Sequence, residues 1–216
     1  MRASRRAFTL VELLVVITII AVIAGLVFAV NGAARKNAQR VTAVNQMRQI
    51  GQAIHLHVGE HGTFPGPLWP GQLAQLDPDR EGRLVRELAG YLGIEIPSTP
   101  TIVDFFVPPA FKAFPGAPDL NEARTYVLNM EVEDGGIVVN PWGSLADDPA
   151  GSPLPPAAIP AQAWAMSDAD QMHPRVKDAP WKTQTTTTPY HGASRLALFF
   201  DGSVRPVTDE ELKLPN

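Results

Sequence analysis

Cysteine is absent from the 216 residues, which excludes a disulfide framework, a thiolate metal site and a cysteine nucleophile. Proline is absent from the first 64 residues although the chain holds 21 of them, so a helix can run unbroken there and nowhere else for long. Basic charge is scarce: 18 Lys and Arg stand against 22 Asp and Glu, a formal net charge of −4. That balance argues against a nucleic-acid partner, whose electrostatic footprint is a basic face. The sequence also lacks a G-x-S-x-G elbow, a glycine-rich phosphate loop and an H-E-x-x-H pair, so it offers no motif for hydrolytic or phosphoryl chemistry. No internal repeat emerges.

What is present is a long apolar run. From Phe8 to Val30 the only charge is Glu12. At a rise of about 1.5 Å per residue the run is about 34 Å long, enough to cross a hydrocarbon core of about 30 Å. It follows the basic leader MRASRRA without a polar gap. A secretory signal has an apolar core of only about 7–15 residues before its cleavage site, so this run is too long for one. Arg35, Lys36 and Arg40 follow the span as Arg2, Arg5 and Arg6 precede it, so charge counting does not set its orientation. A carboxylate inside such a run is expensive and points to a function with a partner. Thr9 and Glu12 also fit the capping box, in which the two side chains satisfy free N–H groups at a helix start.

Arg6-Ala7-Phe8-Thr9-Leu10-Val11-Glu12-Leu13-Leu14 resembles the cleavage and methylation signature of type IV prepilins and type II secretion pseudopilins. The resemblance implies cleavage by a prepilin peptidase between Ala7 and Phe8, N-methylation of Phe8, and a role for Glu12 in assembly. Ala7 stands where the family usually has Gly. It further implies an inner-membrane protein with a cytoplasmic N-terminus and a periplasmic head. Its expected partners are the prepilin peptidase, other pilin or pseudopilin subunits, an inner-membrane assembly platform and membrane lipid.

Beyond the span, Val41, Val44, Met47, Gly51, Ile54 and Val58 recur every three or four residues, an amphipathic stripe that predicts a continuing helix. Its end is expected at Gly59–Gly62. His57-Val-Gly-Glu60-His61 fits the H-x-x-E-H spacing, but the helix ends inside it, and a polar, solvated helix end is the expectation. The expected organisation is therefore a leader (1–7), a transmembrane half-helix (8–30), an amphipathic half-helix (31–61) and a loop-rich head (62–216). In the head, a short helix is expected over Glu81–Gly93 and a strand over Thr101–Val107. One hairpin is expected from Thr125–Val132 and Gly136–Asn140, and another from Leu196–Phe200 and Ser203–Val207 about Asp201-Gly202. Leu145–Pro160 reads as a Pro/Ala-rich surface connection. The sum is an α+β, pilin-like fold, a long helix packed on a small antiparallel sheet.

Nine residues separate His191 from Asp201-Gly202, a spacing similar to the H-X9-DG motif found in many prepilin-like proteins. Asn140-Pro141-Trp142-Gly143 is a weaker echo of the D-P-W-G segment of major pseudopilins. Those relatives bind calcium in a C-terminal loop, which makes Asp168 and Asp170 calcium candidates here, beside the simpler reading that these acids and His191 bond to nearby loops. The expected function is that of a structural, non-enzymatic subunit of a type II secretion pseudopilus. The alternatives are a type IV pilin for adhesion, motility or DNA uptake, and a membrane-anchored periplasmic binding or enzyme domain that shares the leader.

Overall fold

The computed structural model describes residues 9–145 and 151–213, with the backbone alone described for 26–31. The proline-free segment forms one helix, α1, Leu10–His61. The chain divides into two compact units, Met1–Ala38 and Gln39–Asn216. In the first unit the described apolar side chains face outward on every side: Leu10, Val11, Leu13, Leu14, Ile17, Ile20 and Ile23 are all more than half exposed. A helix that is apolar all round needs lipid or other apolar chains as its surroundings.

In the second unit the rest of α1 lies in the core of the head. Ala43, Met47, Ile50, Ala53 and Ile54 are at most 4% exposed. This is a correction to the expected stripe. Val41 is 60% exposed, and Val44 and Val58 only flank the core. The buried face turns out to be built on small residues that a hydropathy ranking passes over. Gly51 shows why: a Cβ at that position would lie 2.8 Å from Leu198 Cδ1. The helix ends as expected, with Gly62 at φ +77° and its N–H bonded to the Val58 carbonyl at 2.8 Å. Glycine adopts that left-handed geometry without the Cβ penalty.

The head contains β1 (Gly71–Leu73), β2 (Gln75–Leu76), α2 (Leu84–Glu87), β3 (Thr101–Ile102), α3 (Pro109–Lys112), β4 (Arg124–Leu128), β5 (Val132–Asp134), β6 (Ile137–Val139), β7 (Trp164–Asp168), β8 (Arg195–Phe199), β9 (Val204–Val207) and α4 (Asp209–Lys213). The main sheet is antiparallel with order β1-β4-β7-β8-β9; β2-β3 and β5-β6 form separate pairs. The α+β architecture expected from the sequence is therefore present.

Both central strands β7 and β8 are buried along their whole length. Leu196 and Leu198 enter the core shared with α1, while Ala197 and Phe199 join Trp164, Val207 and Leu212 in a second cluster. A strand covered on both faces loses the polar–apolar alternation that reveals a half-buried one. That explains the missed β7.

Three further expectations are corrected. Thr101–Val107 is a strand only at Thr101–Ile102 and then turns through a 3-10 segment, Asp104–Phe106. The Glu81–Gly93 helix is two short pieces, α2 and a 3-10 turn at Gly90–Leu92, stopped by Gly93 at φ +66°. Thr125–Val132 divides: β4 joins the main sheet, and only β5 pairs with β6 across Gly135-Gly136. The break falls at Asn129, whose side chain donates to the Trp164 carbonyl at 2.9 Å and whose own carbonyl takes the Trp142 Nε1–H at 3.0 Å. The β8–β9 hairpin forms about Asp201-Gly202 as expected.

The contact between α1 and β8 generates a test. Gly51→Leu should lower the stability of the chain by about 1–3 kcal/mol through overpacking. Leu198→Ala alone should cost about 2–5 kcal/mol through the cavity it leaves. The double variant should be more stable than the sum of the two losses predicts, as thermal unfolding of the detergent-extracted chain would show. Additive losses would refute the packing.

Candidate functional site

The first candidate region is the start of α1. Ala7 and Phe8, the expected cleavage pair, lie outside the described residues. Glu12 is described, and it forms the capping box. Thr9 donates to Glu12 Oε2 through its N–H at 2.9 Å and its hydroxyl at 2.8 Å, and the Glu12 N–H donates back to Thr9 Oγ1 at 3.2 Å. The carboxylate thus has a partner within its own turn while its side chain stays exposed, open to a further partner from outside. Among the described residues no helix is long and apolar enough to cross a membrane. The described side chains of the apolar run end at Gly25, and those of 26–31 are not included.

The second region is a buried polar cluster where β7 meets the loop before β8. Asp168, at the end of β7, is 2% exposed. Its Oδ2 accepts the Leu196 N–H at 2.8 Å and its Oδ1 lies 2.7 Å from the Tyr190 hydroxyl. That hydroxyl is also 3.1 Å from the Thr125 carbonyl oxygen. Burial pushes the Asp168 carboxyl up to about 7, against the Leu196 and Tyr190 hydrogen bonds that favour its ionised form. In the protonated form, Oδ1–H donates to Tyr190, and Tyr190 donates onward to Thr125.

His191 closes the same pocket, its side chain 4% exposed and its Nε2 3.7 Å from Asp168 Oδ2. Burial and the nearby Arg40 hold the imidazole down to about 4, so it is neutral over most of the accessible pH range. Asp170, two residues on, is spent on Arg195: Nε reaches Oδ2 at 2.5 Å and Nη2 reaches Oδ1 at 2.9 Å. The Met172 N–H also donates to Oδ1. Arg195 bridges onward to Asp209 on α4.

These contacts correct the calcium expectation for Asp168 and Asp170. Every carboxylate oxygen of the two is already taken by a protein donor, and Arg195 compensates the Asp170 charge. Among the described residues no group of three or more histidines or acids converges on a point that could hold a metal ion. His191, Asp168 and Asp170 do come together as neighbours, but as a structural brace. Asp201 stands apart at the other end of β8, where its Oδ1 accepts the Ser203 N–H at 2.8 Å and shapes the hairpin turn. Gly202, at φ +82°, lets that turn approach His55 of α1, whose Nε2 would be 3.3 Å from an added Cβ. Both ends of the H-X9-DG-like segment therefore anchor β8.

Two other clusters look like chemistry and are not built for it. Ser167 Oγ lies 2.8 Å from His173 Nε2, a nucleophile–base distance. Yet His173 Nδ1 accepts the Arg175 N–H at 3.0 Å, so a neutral ring carries its proton on Nε2 and donates to the serine. Burial also drives the imidazole well below its usual pKa. At the end of α1, Glu60 of the H-x-x-E-H spacing accepts the Tyr91 hydroxyl at 2.6 Å, and the His57 and His61 rings are stacked with centroids 4.3 Å apart.

Sequence reasoning missed Tyr190, Arg195 and Asp209 as members of the brace. Tyr190 adjoins His191 and was within reach of the motif; the ion-pair chain Asp170–Arg195–Asp209 spans three elements and left no local signal.

A family model described as the prokaryotic N-terminal methylation motif matches residues 2–28. The N-terminus thus carries a prepilin-type signature, and with it the chain reads as a type IV pilin-like or pseudopilin precursor, anchored at a membrane and assembled into a filament. The signature implies processing by prepilin peptidase and assembly with other pilin subunits. The helix-plus-sheet layout is consistent with a pilin-like fold. No curated protein and no solved structure matches the chain.

The Asp168–His191 contact has a pH signature. The ordinary values are 3.8 for the carboxyl and 6.5 for the imidazole. Between about 4 and 6.5 the folded pair keeps one proton on Asp168, and the unfolded chain keeps one on the histidine, so the pair adds no pH slope. His191→Gln leaves only the raised carboxyl, which binds a proton in the fold that the unfolded chain lacks; stability then falls as pH rises from about 4 to 7. Asp168→Asn leaves only the depressed imidazole, and stability rises with pH from about 4 to 6.5. Each slope should approach about 1.4 kcal/mol per pH unit at most. Urea midpoints of the three chains at several pH values check this, and parallel profiles would refute it.

Proposed function

We propose that the chain is the precursor of a structural subunit of a type II secretion pseudopilus, a filament that helps move folded proteins outward, and that it performs no catalysis of its own. The observation that carries the reading is the methylation motif at residues 2–28 opening a helix whose later turns form the core of an antiparallel head. The peptidase hydrolyses the Ala7–Phe8 amide on the cytoplasmic side, and the freed amine of Phe8 is methylated. The apolar run then serves as a single-pass anchor in the inner membrane, with the head in the periplasm, until assembly moves it into the filament core.

The same chemistry assigns Glu12 its part. The Phe8 ammonium of a neighbouring subunit meets the Glu12 carboxylate in apolar surroundings, where either charge alone is costly. That pair selects one axial offset between subunits. The secretion branch is favoured over the type IV pilus by Asn140–Gly143. There the Trp142 N–H donates to Asn140 Oδ1, the Asn140 amide donates to the Gly143 carbonyl, and Trp142 is fully buried against Phe64 and Phe200. This fixed, tryptophan-centred turn resembles the D-P-W-G segment of major pseudopilins.

The first test is a mass spectrum of the N-terminal peptide of membrane-extracted protein. A peptide beginning at methylated Phe8 is expected; one beginning at Met1 or near Asn31 would overturn the reading. Glu12→Ala should be processed and inserted normally but assemble poorly, since losing one partner of a buried ion pair costs about 3–5 kcal/mol. Wild-type filament yield from that variant would remove Glu12 from the assembly. Deleting the gene should abolish export of folded proteins and leave long surface fibres intact; the reverse outcome would place the chain in a type IV pilus.

A further inference from the structure

The head carries a concave site unrelated to the brace and to filament assembly. A cavity of about 590 Å³ opens between Trp69, Pro70, Met130 and Trp181, and Arg83 and Arg124 form its polar end. The two guanidinium groups converge on one acceptor: Nη1 of each donates to the Gly71 carbonyl, at 3.0 Å from Arg83 and 2.5 Å from Arg124. Arg124 also donates from Nε to Gln184 Oε1 and lies over the Trp181 ring at 4.9 Å. Neither arginine is paired with a carboxylate among the described residues, and Nε of Arg83 is buried with no partner at all.

Two adjacent cations without a counter-ion are an unusual arrangement for a chain whose net charge is −4. Both guanidinium groups are held below their ordinary pKa, Arg83 to about 10, by burial and then by neighbouring arginines. A protein interior accepts such a pair at a cost that an anion removes. The surroundings are also built rather than accidental. Gly71 has no Cβ where one would lie 2.7 Å from Arg124 Cδ and 2.9 Å from the Trp181 ring, so the bare backbone lets both side chains close over it. Free Nη2 donors in a fork geometry suit a carboxylate, and the indole walls suit a flat or ring-shaped body. The volume lies in the range of small-molecule sites, about 300–1,000 Å³.

We propose that this cavity binds a small organic anion, a carboxylate carried on a ring, with Arg83 and Arg124 holding the carboxylate and Trp69 and Trp181 flanking the ring. An aromatic acid and an acidic sugar share that chemistry, and the test separates them. The full chain in detergent is titrated with benzoate, with glucuronate, with acetate and with methyl benzoate, following tryptophan fluorescence. Saturation by benzoate or glucuronate with a dissociation constant of about 1 mM or tighter is expected, with acetate and the ester much weaker.

Saturation by benzoate alone identifies an aromatic acid, and by glucuronate alone an acidic sugar. Arg124→Gln should weaken binding about tenfold or more, the loss of a charge-assisted hydrogen bond. If that variant does not fold, Trp181→Leu keeps both cations and should weaken the ring acids while leaving acetate unchanged. No saturation by either ring acid, or acetate binding as tightly as they do, would overturn the proposal.

Discussion

The head depends on one strand being buried from both sides. β8 gives Leu196 and Leu198 to the face that α1 covers and Ala197 and Phe199 to the face that β9 and α4 cover. Burial of apolar surface is the main favourable term in folding, and a strand that contributes on both faces contributes twice. The rest of the architecture serves this placement. Gly51 lets α1 come close enough, the Asp201-Gly202 turn brings β9 alongside, and Arg195 ties the start of β8 to Asp170 and Asp209. The buried ion pairs and the Asp168 hydrogen bonds add little net stability by themselves. Their role is to leave no alternative register in which β8 could settle, since any shift would strand a buried charge.

What the sequence revealed follows from the range of the interactions involved. The long helix was legible because proline is missing before Pro65 and glycine ends the helix at Gly62, both local signals. The β8–β9 hairpin was legible because the D-G step sets its turn within a few residues. β7 was not: Trp164-Ala-Met-Ser-Asp168 has no alternation, since tertiary neighbours cover both of its faces. The face of α1 was placed partly wrong for a related reason. Ala43, Ala53 and Gly51 matter through what they allow to approach, and a hydropathy pattern registers only what a side chain contributes.

The candidate sites divide along the same line. The methylation signature is contiguous and was read directly, down to Glu12 and its capping box with Thr9. The fate of Asp168 and Asp170 depended on Tyr190, Leu196 and Arg195, more than twenty residues away, so two acids spaced like metal ligands proved to be partners of protein donors. The arginine–tryptophan cavity draws on residues from 69 to 181 and has no signature in any one stretch.

The edges of the main sheet have a consequence for how copies of this chain meet. On one side β9 places Pro206, which has no N–H to offer, in the edge strand beside Arg205. On the other, β1 is only three residues long and its register is interrupted between Gln72 and Leu73. Neither edge can template a further strand. The heads are therefore mutually non-adhesive through their backbones, and crowding them together does not lock them. Cohesion between copies is left to the apolar helix. A polymer made this way can be taken apart by withdrawing that one element into lipid, with each head released still folded.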